Sequence, residues 1–268
     1  MSTRTRSALL LATAIAWGLP LSAQDAVTLR LDPPVGQVTH IRMEGRTWML
    51  SGAAPADTSH PTSTQLIFGT QTVTAAETGI RAISTVIDSS RMEVGGGMPS
   101  PLGATDLLKG TTSTRRVNAD GDALSTTVVP GPNLPPMMSE QASVPQAGPQ
   151  HGFPKRPLRV GETWTDTGTT APRPGMSHAV TTVITYRLER IESRDGGPYA
   201  TVSMRGGTGV PADSAHATSV SGDFSGEMLI DVTHRRMVRF TNENRTRVDA
   251  PGGPQTILGR MTITATEP

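Results

Sequence analysis

The sequence predicts an all-β protein made of antiparallel meander sheets. Between Phe224 and Val232, apolar residues at even positions alternate with mostly polar residues at odd positions, as in a strand with one buried and one solvated face. The dipeptide Asp120-Gly121 separates two such runs, Thr112–Val117 and Ala123–Val129, and this pattern predicts a β-hairpin. Thr, Val and Ile are frequent in these runs, and no stretch after the N-terminus has a long amphipathic helix pattern.

The other runs and turns repeat this pattern along the chain. The predicted strands include 27–31, 180–191, 199–204, 237–248 and 257–264. Asp195-Gly196-Gly197 and Thr233-His234-Arg235 stand between consecutive runs and predict tight turns. Gly95–Pro101 and Gly206–Gly222 are rich in Gly, Pro and Ser and predict long loops.

A proline-rich stretch divides the chain into two predicted domains. Residues 130–157 hold 8 of the 22 prolines, and proline removes hydrogen-bond donors from a sheet. The predicted organisation is an N-terminal β-domain over 24–130, a linker over 131–157 and a C-terminal β-domain over 158–268. Similar features recur in the same order in both halves, with Thr64–Phe68 matching Thr182–Tyr186 at an offset of 118. We therefore expect two related curved-sheet or half-barrel domains, and whether they form one continuous sheet is left open.

The first 23 residues have the layout of a secretory signal peptide. Arg4 and Arg6 precede an apolar run over Leu9–Leu21, and cleavage is expected after Ala23. The apolar run is too short for a membrane span, which needs about 20 residues. We therefore expect a secreted or periplasmic protein with no membrane span after cleavage.

Composition excludes several classes of protein. Cleavage removes two arginines from a net charge of +1, leaving 1 − 2 = −1, which argues against nucleic acid as a partner. The chain has no Cys, which excludes disulfides and thiolate chemistry. Aromatic residues are only 3% of the chain, too few for the aromatic girdles of an outer-membrane barrel.

A family resemblance rests on the segment that follows the proline-rich stretch. The phrase Phe153–Trp164, which contains Val160-Gly161-Glu162-Thr163-Trp164, is followed by Tyr186–Glu189 and by the strand Gly222–Val232. This layout resembles uncharacterised secreted bacterial proteins with duplicated β-sheet domains, a domain of unknown function. It is distantly similar to the half-barrels of periplasmic lipoprotein carriers. The resemblance implies no catalytic residues.

No motif commits the chain to a reaction, a metal or a cofactor. The six histidines form no metal-binding spacing, and no serine lies in a Gly-x-Ser-x-Gly elbow. We predict no catalytic residues, no metal site and no cofactor. Trp48 and Trp164 stand early in their repeats, where each either anchors a sheet or lines a ligand groove.

The sequence therefore favours an exported, non-enzymatic β-sheet protein that binds an apolar or lipidic molecule. One alternative is a structural or protein-interaction module of the cell envelope, with an envelope protein as its partner. A hydrolase with scattered catalytic residues is a third hypothesis.

Overall fold

The computed structural model describes residues 26–51, 58–95, 106–119, 121–134, 153–170, 180–194, 196–210, 219–250 and 253–268. Within these ranges the regular structure is entirely β, which confirms the predicted all-β class. The strands are β1 (Val38–Ser51), β2 (Ser63–Glu77), β3 (Ile80–Val94), β4 (Thr112–Val117), β5 (Ala123–Val129), β6 (Thr163–Thr170), β7 (Val180–Arg194), β8 (Gly197–Val210), β9 (Ser219–Asp231), β10 (Arg236–Ala250) and β11 (Gly253–Thr266).

All eleven described strands belong to one antiparallel sheet in the order β5-β4-β3-β2-β1-β11-β10-β9-β8-β7-β6. Consecutive strands pair with each other within β1–β5 and within β6–β11, and the pairing of β1 with β11 joins these two halves. β5 and β6 are left as the two edges. The strands of both halves thus form one continuous sheet.

Short turns lie at one end of this sheet, which we call the turn end. It carries the β2–β3, β4–β5, β7–β8 and β9–β10 connections, and the opposite end is called the loop end. The described residues of the three predicted turns, Gly121, Gly196-Gly197 and Thr233-His234-Arg235, fall at the turn end; Asp120 and Asp195 lie outside the described residues. Gly121 and Gly196 have φ angles of 88° and 81°, a region that glycine enters without steric cost.

The sheet curls so that its edges approach each other at the turn end. In a flat sheet, β5 and β6 would lie ten spacings of about 4.8 Å apart, or about 48 Å. Val27 N donates to Leu158 O at 2.9 Å shortly before β6, while a Cβ at Gly121, beside β5, would lie 3.2 Å from Leu31 N. Four residues of chain span at most about 14 Å. Because so short a segment reaches from one edge to the other, the sheet must be strongly curved.

The side of the sheet on which this segment lies is the concave face. Val27 and Leu29 pack with Leu188, Val202 and Ile230, and strand register places these three side chains on one face of the sheet. The opposite, convex face carries most of the arginines and glutamates of the strands. The predicted alternation of apolar and polar residues in β9, β10 and β11 is therefore confirmed.

Three sequence-based expectations differ from the structure in detail. Burial alternates over residues 27–30 but not at Leu31, and the predicted strand forms only an isolated bridge, Val27 with Leu158. Much of the predicted loop Gly206–Gly222 is strand, because β8 runs to Val210 and β9 begins at Ser219. The predicted strand 237–248 contains an irregularity at Val238, where the register shifts between Met237 and Arg239.

Several other predictions fall wholly or partly outside the described residues. The signal peptide over 1–23 lies there entirely, and so do residues 135–152 of the linker. The division into two domains, the linker and the internal repeat stay predictions. The proposed repeat would match β2 with β7 and β3 with β8.

Candidate functional site

One half of the concave face is filled by apolar side chains. The main apolar cluster lies over β7, β8 and β9, where Leu188, Val202 and Ile230 are fully buried. Val27, Leu29 and Leu158 cover these strands from the concave side. This half of the interior is therefore closed by the protein's own chain.

Residues 27–32, which we call the N-terminal segment, are held in place by a buried carboxylate. Asp32 is only 1% exposed, and its Oδ2 accepts hydrogen bonds from Arg81 Nη1 and Arg235 Nη1, both at 2.9 Å. Arg81 comes from β3 and also donates to the backbone carbonyls of Asp32 and Pro33. Arg235 comes from the β9–β10 turn. One side chain thus connects strands from both halves of the sheet at the turn end.

The other half of the concave face is also apolar, but its side chains are less covered. The half-buried apolar residues here are Ile41 and Met43 of β1, Ile67 of β2, Ile87 of β3, and Ile257, Met261 and Ile263 of β11. Neither of the two apolar clusters of described residues includes any of them. They form an apolar surface on the inside of the curve, which we call the open interior face.

Trp164 lies at the edge of the concave face. It stacks on Tyr186 with ring centroids 5.3 Å apart and planes 13° apart, and it meets Phe153 edge-on at 5.9 Å. Burial, together with the charge of Asp166, raises the pKa of Tyr186 to about 12. Trp164 thus extends the filled half of the interior onto edge strand β6.

Trp48 lies on the opposite, convex face. It stands opposite Leu258 of β11, and Leu258 follows Ile257, whose side chain is on the concave face. The ring is 5% exposed, and the Arg260 guanidinium carbon lies 5.3 Å from its centroid, in a cation–π contact. The structure therefore does not bring the two sequence-predicted candidates together. Trp164 is on the concave side and Trp48 is on the convex side, so the two do not line one groove.

The convex face holds charged side chains that largely neutralise one another. A depression over β1, β2 and β3 is lined by Arg42, Glu44, Arg46, Thr64, Leu66, Arg91 and Glu93. Glu44 pairs with Arg42 and Arg46 at 3.1 and 2.8 Å, and Arg91 pairs with Glu93 at 2.7 Å. Exposed pairs of this kind contribute little to stability.

A second buried carboxylate closes the β9–β10 turn. Asp231 accepts from the backbone N of His234 at 3.0 Å, and its Oδ2 lies 2.7 Å from His234 Nδ1. Burial by itself would raise the pKa of Asp231, but the hydrogen bonds from His234 and the charges of His234 and Arg236 bring that pKa below its usual value. His234 thus lies in a turn, as predicted, and its ring contact is with the carboxylate that shapes this turn.

The described ranges contain neither a metal-binding group of side chains nor a helix that could span a membrane. No three His, Asp or Glu side chains there are grouped so as to hold a metal ion. No helix in those ranges is both long and apolar enough to cross a bilayer.

Comparison with known proteins gives no family. No family model and no curated protein matches the chain. Among solved structures, an outer membrane channel of Pseudomonas putida F1 aligns over 88% of this chain and 98% of its own, with 10% identity and a TM-score of 0.29. An engineered protein from work on asymmetric conductivity aligns over 86% and 99%, with 6% identity and a TM-score of 0.22. TM-scores this low carry no inference about this chain's fold or activity.

Proposed function

We propose that this chain is an exported, non-enzymatic protein of the periplasm or extracellular space that binds an apolar or lipidic molecule. The ligand would lie on the open interior face. The observation that carries the proposal is the contrast between the two halves of the concave face. The N-terminal segment buries the half over β7–β9, whereas Ile41, Met43, Ile67, Met261 and Ile263 remain half-buried.

The less covered half of the concave face is suited to an apolar ligand for two physical reasons. Burying apolar surface yields about 25 cal/mol per Å², and ligand sites in proteins are concave and mostly apolar. A molecule with a hydrocarbon chain would remove water from this face without any covalent chemistry. The distant resemblance to lipoprotein carriers supports the same class of ligand.

The experiment combines native mass spectrometry of protein purified from the periplasm with titration of the uncharged probe hexadecanol. We expect the purified protein to carry bound apolar molecules, which appear as added mass. After their removal, we expect it to bind hexadecanol saturably. The variant Ile263→Glu places a charge on the open interior face and should weaken hexadecanol binding at least tenfold. Thr262→Glu, one residue away on the convex face, is the matched control.

Circular dichroism identifies variants that fail to fold, and Met43→Gln serves as a milder second variant. A clean apo mass in every preparation, together with no saturable hexadecanol binding, would overturn the proposal. Equal loss of binding in Ile263→Glu and Thr262→Glu would overturn the location of the site.

The two sheet edges favour a second candidate, an envelope interaction module. No described strand pairs with the outer side of β5 or β6, and unpaired edges accept extended segments of other chains. Leu124 and Val129 of β5 are also exposed. This candidate predicts a defined complex in pull-downs that is lost when Thr127→Pro blocks pairing along β5, with hexadecanol binding unchanged.

A further inference from the structure

We propose that the ligand is a long-chain carboxylate, and that Arg115 on the concave face binds its carboxylate group. This inference rests on the proposed function and names the chemical class of its ligand. It rests on a different observation: one arginine of β4 lies on the concave face with no acidic partner in the described ranges.

Arg115 lies on the concave side of the sheet. It stands opposite Ile83 of β3 in the register of the two strands, and opposite Thr126 of β5. Ile83 is buried together with Val73 and Val117 in the second apolar cluster. The guanidinium therefore belongs to the inside of the curve and not to the charged convex face.

Arg115 also has no counter-ion in the described part of the chain. It makes no hydrogen bond and no ion pair there, in contrast to its neighbours on the concave and convex faces. Arg81 is held by Asp32, and Arg116 is held by Glu77. Burial lowers the pKa of Arg115 below its usual value. Arg115 is half-buried, and a partly desolvated charge without a partner is costly. An anionic ligand would reduce that cost.

The surroundings of Arg115 fit a small polar headgroup. Ser113, Thr85 and Thr126 lie next to it on the same face by strand register, and Gln71 Nε2 donates to Thr85 Oγ1 at 3.2 Å. Hydroxyl groups can donate to the carboxylate lone pairs that the guanidinium leaves free.

The open interior face lies beside this polar group of residues. Ile87 is two residues beyond Thr85 on the same face, and register connects it through Gly69 to Ile41. A molecule with its headgroup at Arg115 would therefore lay its chain across apolar side chains towards the loop end. The interior is amphipathic in the same sense as a fatty acid.

The charge balance favours a carboxylate over a phosphate headgroup. A carboxylate carries one negative charge and matches the fork of one guanidinium in a bidentate pair. A phosphate monoester carries about −1.5 to −2 at pH 7 and calls for more than one cation. Arg115 is the one cation described on this part of the concave face without an acidic partner.

The test compares three probes that share a chain length: palmitate, hexadecanol and a palmitoyl lysophosphatidate. Each is titrated into delipidated protein below its critical micelle concentration. The chain variants are Arg115→Met, which keeps length and removes charge, and Arg115→Lys, which keeps charge. Arg116→Met, one residue away on the convex face, is the matched control.

We expect palmitate to bind the wild type more tightly than either other probe. Arg115→Met should weaken palmitate binding by about 10- to 100-fold, the usual range for a charged hydrogen-bonding partner. The same variant should leave hexadecanol binding within about twofold. Arg115→Lys should retain part of the affinity for palmitate, and Arg116→Met should retain all of it.

The outcomes separate this inference from the proposed function. Hexadecanol binding as tight as palmitate binding, or unchanged palmitate binding in Arg115→Met, overturns the role of Arg115 and leaves the apolar site standing. Tighter binding of the lysophosphatidate overturns the choice of a carboxylate. Failure of all three probes overturns the proposed function and this inference together.

A ligand-free measurement keeps the proposal testable without any probe. Arg115→Met should raise the melting temperature of delipidated protein, since it removes a partly desolvated charge that has no acidic partner within the described ranges. Arg116→Met should leave the melting temperature nearly unchanged. A lower melting temperature in Arg115→Met would show that the guanidinium is already compensated in the empty protein, and would overturn the argument.

Discussion

Asp32 and Glu44 each hold two arginines, yet they do so in opposite environments. Asp32 is 1% exposed and joins Arg81 to Arg235, whereas the Glu44 side chain is 30% exposed and joins Arg42 to Arg46 along its own strand. Breaking a buried pair leaves a desolvated charge, whereas breaking an exposed pair returns both groups to water.

Asp32→Asn should therefore lower the free energy of unfolding by about 2–3 kcal/mol, slightly less than a fully buried pair because both arginines are partly exposed. Glu44→Gln, the matched control, should change it by less than about 0.5 kcal/mol. Urea denaturation of both variants measures the difference. Equal effects would show that Asp32 does not fasten the N-terminal segment.

Tyr186 gives a prediction for alkaline pH. Its pKa in the folded protein is about 12 through burial and Asp166, against about 10 in an unfolded chain. Above pH 10 the unfolded chain loses the proton first, so folding stability should fall between about pH 10 and 12. By linkage, a shift of this size corresponds to about 2–3 kcal/mol.

The measurement is urea denaturation at several alkaline pH values, with absorbance at 295 nm to follow tyrosine ionisation. Tyr186→Phe keeps a ring against Trp164 and should lose this part of the pH dependence. Parallel stability curves for the two proteins would contradict the assignment.

Features of single residues could be predicted from the sequence where the residues involved are close together in the chain. The alternation in β9–β11 is local, so the sequence correctly predicted which side chains share a face. Asp32 meets Arg81 and Arg235 across 49 and 203 residues, and no local pattern signals such contacts. Trp48 and Trp164 looked equivalent in sequence, but strand register places them on opposite faces. Arg115 was not predicted as a site residue. Its place on the concave face and its lack of an acidic partner in the described ranges depend on the folded structure.

At the scale of the strands, glycines let neighbouring side chains and backbones come close on the concave face. A Cβ at Gly206 would lie 2.5 Å from the Phe224 ring, and one at Gly226 would lie 2.3 Å from the Thr241 carbonyl oxygen. Gly45 is also on the concave face, but a Cβ there would meet only Gln65 Cβ, at 4.0 Å. The sequence pattern alone does not distinguish these positions.

Gly226→Ala should therefore destabilise the protein by about 1–3 kcal/mol, because backbone must move to admit the methyl group. Gly45→Ala should be neutral or stabilise it by up to about 1 kcal/mol, since alanine restricts the unfolded chain. Thermal and urea denaturation test the pair. A cost at Gly45 equal to that at Gly226 would refute the packing argument.

At the scale of the whole molecule, the N-terminal segment links the two edges of a curled sheet. The sequence predicted the all-β class and most turns from local patterns. It could not predict that both halves share one sheet, because the β1–β11 pairing and the Val27–Leu158 bridge depend on contacts distant in sequence.

The absence of cysteine makes this bridge directly testable. Val27→Cys with Leu158→Cys should form a disulfide on oxidation, because directly paired residues of antiparallel strands have Cα atoms about 5.5 Å apart. Closing a loop of 158 − 27 = 131 residues should stabilise the protein by up to about 4–5 kcal/mol relative to its reduced form. Mass spectrometry and thermal melts measure both. Failure to cross-link in the folded protein, with each single variant as control, would contradict the bridge.

The β1–β11 pairing also has a consequence for the order of folding. His40 lies opposite Thr266, so the ladder at the middle of the sheet joins residues 266 − 40 = 226 positions apart. Such non-local contacts slow folding. The side of β1 that pairs with β11 stays unpaired until β11 is available. Exposed strand edges of this kind are prone to aggregate. The newly made chain should therefore be prone to aggregation in the interval before β11 is available, and should gain from a chaperone that covers β1.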